Sequence, residues 1–182
     1  MKTYYFNKLT KVELSELLKR PSINFNEIFK VVKPILKDVK KKGVKAALKY
    51  EKQFDGFSGK NLLVTKEEFE EAEKNLDYKV KTAIHTAVEN IRKFHGFQYP
   101  KAYSVETREG INCSREFRAI ENVGLYIPGG NAVLPSTMLM LGIPARIAGC
   151  KRIVVSSPAK KGKINYPLLY AAKLCGVNEF YK

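Results

Sequence analysis

The stretch Val123-Gly-Leu-Tyr-Ile-Pro-Gly-Gly-Asn-Ala constrains the fold of this chain more than any other. Residues 123–127 form a short apolar run of strand length, Pro128-Gly129-Gly130 breaks it into a loop, and residues 136–148 resume at helical spacing. A second strand pattern follows at 152–157, a second helical stretch at 164–174 with Gly176 suited to its C-terminal cap, and a third strand pattern at 177–181. This alternation requires parallel strands joined by crossover helices. The expected fold class is α/β: a βαβαβ half of a doubly wound, Rossmann-like parallel sheet, incomplete at the C-terminus. A sheet stopped at that point leaves unpaired N–H and C=O groups on its edge.

The chain before residue 123 follows a different pattern. Thr10 with Glu13 three residues on is a capping box, and Pro21 ends the helix it opens. Phe25, Ile28, Phe29, Val32, Ile35, Leu36 and Val39 recur at helical spacing; Pro34 should kink that helix and Gly43 caps its C-terminus. A shorter helix spans 44–54 and is closed by an Asp55-Gly56 turn; Thr65 with Glu68 opens the next, and Asp77 caps a long one carrying Val80, Ile84, Val88, Ile91 and Phe94. Period-two stretches at 102–107 and 111–117 flank Glu109-Gly110 and predict a hairpin. Two domains are expected: a helical N-terminal region plus β-hairpin over 1–122, and the partial Rossmann-like βαβαβ domain over 123–182.

The net charge of +15 raises the question of a polyanionic partner. Its distribution argues against nucleic acid: lysine dominates over arginine and spreads along helix faces, densest at 40–42, without forked arginines interleaved with aromatics. A solvated lysine-rich surface accounts for it best, with a polyanion site and a missing acidic partner segment as the alternatives. No apolar run reaches the roughly 20 residues that span a bilayer, so no membrane partner is expected. Cys113, Cys150 and Cys175 lie too far apart for a C-x-x-C site, and an odd number of scattered cysteines fits a reduced, cytoplasmic location.

A strand that delivers a glycine loop to a helix N-terminus suits an anion, because free N–H groups and the helix dipole point outward there. The loop is not G-x-G-x-x-G, however, and no acidic residue follows about 20 positions on to take a ribose hydroxyl, so a tight structural turn and a ligand loop both remain open. Tyr126, at the carboxyl end of its strand, is either a ligand-facing residue or an aromatic at the core edge. Pro144 removes a helix hydrogen bond at a cost of about 3 kcal/mol, and the small residues Gly142, Ala145, Ala148 and Gly149 suggest close packing on the sheet as the reason. His85 and His95 lie on one helix about 15 Å apart by its 1.5 Å rise per residue, too far to share a metal.

Three stretches carry a resemblance: Ile91-Arg-Lys-Phe-His-Gly-Phe-Gln, Cys113-Ser-Arg-Glu-Phe-Arg-Ala-Ile-Glu-Asn-Val-Gly-Leu-Tyr-Ile-Pro-Gly-Gly, and Leu134-Pro-Ser-Thr-Met-Leu-Met-Leu-Gly-Ile-Pro-Ala-Arg-Ile-Ala-Gly-Cys-Lys. In order and spacing they resemble the histidinol dehydrogenase family. Ile153-Val-Val-Ser-Ser-Pro and Ala171-Ala-Lys-Leu-Cys-Gly-Val continue the resemblance, with weaker similarity over 39–56. It implies an NAD-dependent oxidoreductase of histidine biosynthesis that converts L-histidinol to L-histidine in two steps through a bound aldehyde. Zinc positions the substrate, a Glu-His pair moves protons, and homodimers form by exchanged segments. The family's Gly-Leu-Tyr-Ile-Pro-Gly-Gly tyrosine borders NAD and matches Tyr126 here. Val44 stands where the family has an acidic residue after the glycine. The family's zinc ligands and catalytic pair are expected beyond residue 182, so the resemblance assigns this chain no catalytic and no metal residue. The alternative is a catalytically inactive scaffold or interaction module of the same lineage.

Overall fold

The computed structural model describes residues 3–20, 24–129 and 134–182. The expected stop of the first helix at Pro21 and the glycine loop from Gly130 onward lie outside them. The chain divides into two compact units, 1–44 and 45–182. The expected domain boundary at 122/123 falls inside the second.

In the first unit, helix α1 (Lys11–Leu18) opens on the anticipated capping box: the Glu13 N–H donates to Thr10 Oγ1 at 3.2 Å, and the Thr10 N–H donates to Glu13 Oε2 at 2.8 Å. Helix α2 (Phe25–Lys42) runs as one element with Pro34 inside it and stops at Gly43, whose φ of 57° is open to glycine. The apolar stripe of α2 is correct as a stripe but is not a core face: Phe25, Ile28, Phe29, Val32 and Leu36 are exposed, and α2 has no buried residue. Periodicity says which side chains share a face; burying them takes a neighbour.

The second unit begins with α3 (Val44–Phe54), whose first residue closes the preceding unit, and continues through α4 (Lys66–Asn75) and α5 (Tyr78–Gly96). Thr65 and Glu68 form the capping box of α4, and Asp77 Oδ1 accepts from the Lys79 N–H at 2.8 Å to start α5. Strands β1 (Tyr103–Arg108) and β2 (Ile111–Arg115) pair antiparallel across the expected turn as a separate two-stranded sheet, with a register shift between Glu106 and Arg108. All residues of both strands are exposed.

Next come β3 (Asn122–Tyr126), α6 (Pro135–Ile147), β4 (Arg152–Ser156), α7 (Tyr166–Leu174) and β5 (Glu179–Tyr181). The three strands form a parallel sheet in the order β3-β4-β5. This is the anticipated βαβαβ arrangement, with the third strand shorter than the pattern suggested. Val123, Leu125, Ile153, Val155 and Phe180 lie on one face and pack with Ile84 and Val88 of α5, Met138, Leu139 and Ile143 of α6, and Leu168 and Leu169 of α7. Helices α4 and α5 pack on α7 and α6, so the helical stretch and the sheet share one core.

Two expectations are corrected. Gly142 serves a helix contact: a Cβ there would lie 2.8 Å from Cys175 Sγ at the end of α7 and 2.7 Å from Met138 Cε. Ala148 is exposed, and α6 remains a single helix through Pro144. The last strand does not leave a bare edge. The Val64 N–H donates to the Phe180 carbonyl at 2.8 Å, the Lys182 N–H donates to the Leu62 carbonyl at 2.7 Å, and Leu63 bridges Tyr181 antiparallel. Residues 62–64 therefore close β5.

Candidate functional site

Parallel register places the carboxyl ends of the three strands in a row. Tyr126 lies opposite Ser156, and Ser156 opposite Tyr181. The Ile127 N–H donates to the Ser156 carbonyl at 2.9 Å, and the Ser157 N–H to the Tyr181 carbonyl at 3.1 Å, so backbone pairing holds this rim just past the strand ends. Ile127 and Ser157 point inward and are buried, whereas Tyr126 is 62% exposed. Alternation along a strand explains the contrast, since neighbouring side chains take opposite faces.

Beyond the rim, the loops after β3 and β4 pack closely. A Cβ on Gly129 would lie 3.1 Å from Pro158 Cβ and Cγ, so glycine lets the first loop lie flat against the second. Helix α6 begins at Pro135 after Leu134, whose side chain accepts no capping bond. The rim thus joins an exposed phenol, two strand-end loops in contact and a helix start without a side-chain cap. Open α/β sheets bind ligands at this end.

The histidines lie elsewhere. His85 Nε2 and the Tyr170 hydroxyl are hydrogen bonded at 2.9 Å between α5 and α7, and His95 Nδ1 meets Gln98 Oε1 at 2.6 Å. Among the described residues, no group of three or more His, Cys, Asp or Glu side chains is placed to hold a metal ion. The donors among the described residues do not fit the zinc that the resemblance implies. Cys175 is a packing thiol: burial pushes its pKa up to about 11, against the opposing influence of Arg92 and Arg146. Across β4 and β5, Arg152 grips Glu179 in a two-pronged contact at 2.6 and 2.5 Å, which lowers the Glu179 pKa and raises that of Arg152. A cavity of about 320 Å³, lined by His95, Tyr99, Phe117, Val123, Pro144 and Cys150 among others, opens toward the amino end of β3, away from Tyr126.

Of the residues singled out in the sequence, Tyr126 and Gly129 are at the rim. Ser156, Ser157, Pro158 and Tyr181 join them without having been foreseen, because their place depends on register between strands far apart in sequence. The apolar run ending in Ser156-Ser157-Pro158 was the one available signal.

Fold and rim define an α/β protein with part of a doubly wound sheet, an architecture whose ligands lie outside the carboxyl ends of the strands. The family model described as Histidinol dehydrogenase matches residues 18–182. A histidinol dehydrogenase of Campylobacter jejuni (strain RM1221) is 46% identical over the whole chain, which covers 42% of that protein. The histidine biosynthesis trifunctional protein of Saccharomyces cerevisiae is 44% identical over 93% of the chain and 22% of its own length. The crystal structure of histidinol dehydrogenase from Elizabethkingia anophelis superposes with a TM-score of 0.87 at 40% identity, over 96% of this chain and 40% of that one. The chain belongs to the histidinol dehydrogenase family, an oxidoreductase family, and spans about two fifths of the length of the Campylobacter relative.

Proposed function

We propose that this chain carries the dinucleotide-facing edge of a histidinol dehydrogenase, which oxidises L-histidinol to L-histidine with NAD in the cytoplasm and acts as a homodimer when whole. The observation that carries this is the exposed Tyr126 at the carboxyl end of β3, beside the Gly129 and Pro158 contact, in a chain whose family match runs through that strand. The residue that fits a dinucleotide is Tyr126, whose phenol stands free of the core for a cofactor to lie against. NAD, when bound, supplies the hydride acceptor. The part assigned to this chain is to bind and orient it, with Tyr126 as the cofactor-binding residue.

Zinc and the proton-transferring groups belong, on this reading, to parts of the enzyme outside this chain. The donor set favours a second reading for the chain alone, an inactive interaction module of the same lineage.

The test is Tyr126→Ala in the complete enzyme. The Michaelis constant for NAD is expected to rise about tenfold, the effect of losing roughly 1.4 kcal/mol of binding, while the melting temperature stays within a few degrees. A sharp fall in melting temperature with an unchanged Michaelis constant would make Tyr126 a packing residue instead.

A further inference from the structure

We infer that the loop over residues 160–163, just past the carboxyl end of β4, is a phosphate-holding part of the cofactor edge, in which Lys160, Lys161 and Lys163 take phosphate of an adenine dinucleotide that lies against Tyr126. This rests on the dehydrogenase reading above, since the ligand is the dinucleotide of that enzyme.

Chain geometry puts the loop at the rim. β4 ends at Ser156, and Pro158 packs on Gly129 of the neighbouring loop, where a built Cβ lies 3.1 Å from the proline ring. Lys160 is two residues further on, so with trans peptides its Cα stands within about 7.6 Å of the Pro158 Cα, and a four-carbon stem carries its ammonium about 6 Å more. Lys160 is therefore within reach of a ligand that crosses the Gly129 and Pro158 contact toward Tyr126. Lys163 lies beside it, because its N–H donates to the Lys160 carbonyl at 3.1 Å.

The loop is held in one shape. The Gly162 N–H donates to the Ala159 carbonyl at 3.3 Å, and the Lys161 N–H to the Asp55 carbonyl at 3.2 Å. Ala159 and Ile164 are buried at its two ends, and the buried ring of Phe57 lies so close to Gly162 that a Cβ there would meet Phe57 Cδ2 at 2.6 Å. Lys161 has a φ of 52°, the one positive value at a non-glycine position among the described residues. A side chain in the left-handed region costs free energy that glycine would not, and such positions cluster where ligands are held. Solvation alone gives no reason for lysine here.

Charge gives the nature of the ligand. Lys160, Lys161 and Lys163 are exposed, and among the described residues none forms an ion pair, although Glu51 and Asp55 stand on the adjoining helix end and turn. Elsewhere around this sheet the cations are matched: Arg152 pairs with Glu179, Lys173 with Glu73 and Lys182 with Glu68. Tyr126, Ser156, Ser157, Pro158 and Tyr181 add no acidic group at the rim. Three uncompensated ammonium groups on a fixed loop attract a multiply charged anion, and lysine takes phosphate as a point charge. A dinucleotide can offer it from two places, the diphosphate bridge or a phosphate on the adenosine ribose.

The test is a residue-resolved chemical-shift titration of this chain with adenosine, adenosine diphosphate and adenosine 2′,5′-bisphosphate. At least one of the two phosphorylated probes is expected to bind about tenfold more tightly than adenosine and to move the amides of 160–163. In a variant carrying Lys160→Gln, Lys161→Gln and Lys163→Gln that affinity should fall about tenfold, with adenosine unchanged and the melting temperature within about 2 °C, because the three side chains are exposed. About 0.5 M salt should act on the natural chain in the same direction. The diphosphate losing more affinity than the bisphosphate assigns the lysines to the diphosphate bridge; the reverse assigns them to a ribose phosphate, and both support the proposal. No binding of either phosphorylated probe, affinities equal to that of adenosine, equal losses for all three in the variant, or shifts confined to residues away from the loop would each overturn it. Tyr126→Ala should weaken adenosine and the phosphorylated probes in the same proportion, so failure of the Tyr126 reading and failure of the lysine loop give different results.

Discussion

The Val64 N–H donates to the Phe180 carbonyl at 2.8 Å, joining a segment before α4 to the last strand of the sheet more than 100 residues later. Val64 and Phe180 are both buried, so this is a core bond that covers an edge which would otherwise stand open. Val64→Pro removes the donor and leaves the Phe180 carbonyl unsatisfied, at a cost on the order of 1–3 kcal/mol. Thermal unfolding should show it as a loss of several degrees. An unchanged melting temperature would mean that 62–64 do not hold β5.

Gly142 tests the contact between α6 and α7. A Cβ at this position would meet Cys175 Sγ at 2.8 Å and Cys175 Cβ at 2.9 Å, closer than real Cβ atoms come. Gly142→Ala should therefore destabilise by about 1–3 kcal/mol through overpacking. Adding Cys175→Ala should recover part of the loss, since the sulfur leaves and the Cβ stays. A double-mutant cycle in denaturant measures the coupling; strict additivity would show that the two residues do not compete for the same space.

Local signals of this second unit were legible in the sequence, and pairings across it were not. Thr65 with Glu68 and Asp77 set helix starts through bonds spanning two or three residues, and these formed as read. The alternation after residue 122 gave the parallel sheet, because strand length, crossover length and handedness leave few other arrangements. Leu63 opposite Tyr181 carried no sequence sign, since a three-residue bridge has no period to detect. Tyr126 was singled out through its motif and strand end, but its neighbours Ser156 and Tyr181 follow from register. The stripe on α2 shows the same limit from the other side: correctly spaced, yet exposed.

Glu51 should shape the acid side of the stability curve. One of its carboxylate oxygens is buried without a hydrogen-bond partner among the described residues, and burial, followed by the nearby Asp55, raises its pKa above 4.5. A carboxyl raised in the folded state favours folding below the unfolded value, and that stability is lost as pH rises through the folded value. Glu13, Glu67, Glu73 and Glu179 are lowered and act in the opposite sense, so the informative quantity is a difference. Relative to Glu51→Gln, the natural chain should lose melting temperature as pH rises from 4.5 toward neutrality. Parallel curves for the two would contradict the assignment.

In the proposed function this chain presents the cofactor edge, while the metal and proton chemistry lie in the rest of the enzyme. A zinc site of the catalytic kind takes about three protein ligands at about 2.0–2.3 Å, and the described residues offer no such group. The direct measurement is absorbance at the NADH band with L-histidinol, NAD and zinc, on the purified chain and again after adding the remaining part of a family enzyme. The expected result is no NADH and no retained zinc from the chain alone, with both restored on mixing. Turnover or stoichiometric zinc in the chain alone would contradict the account.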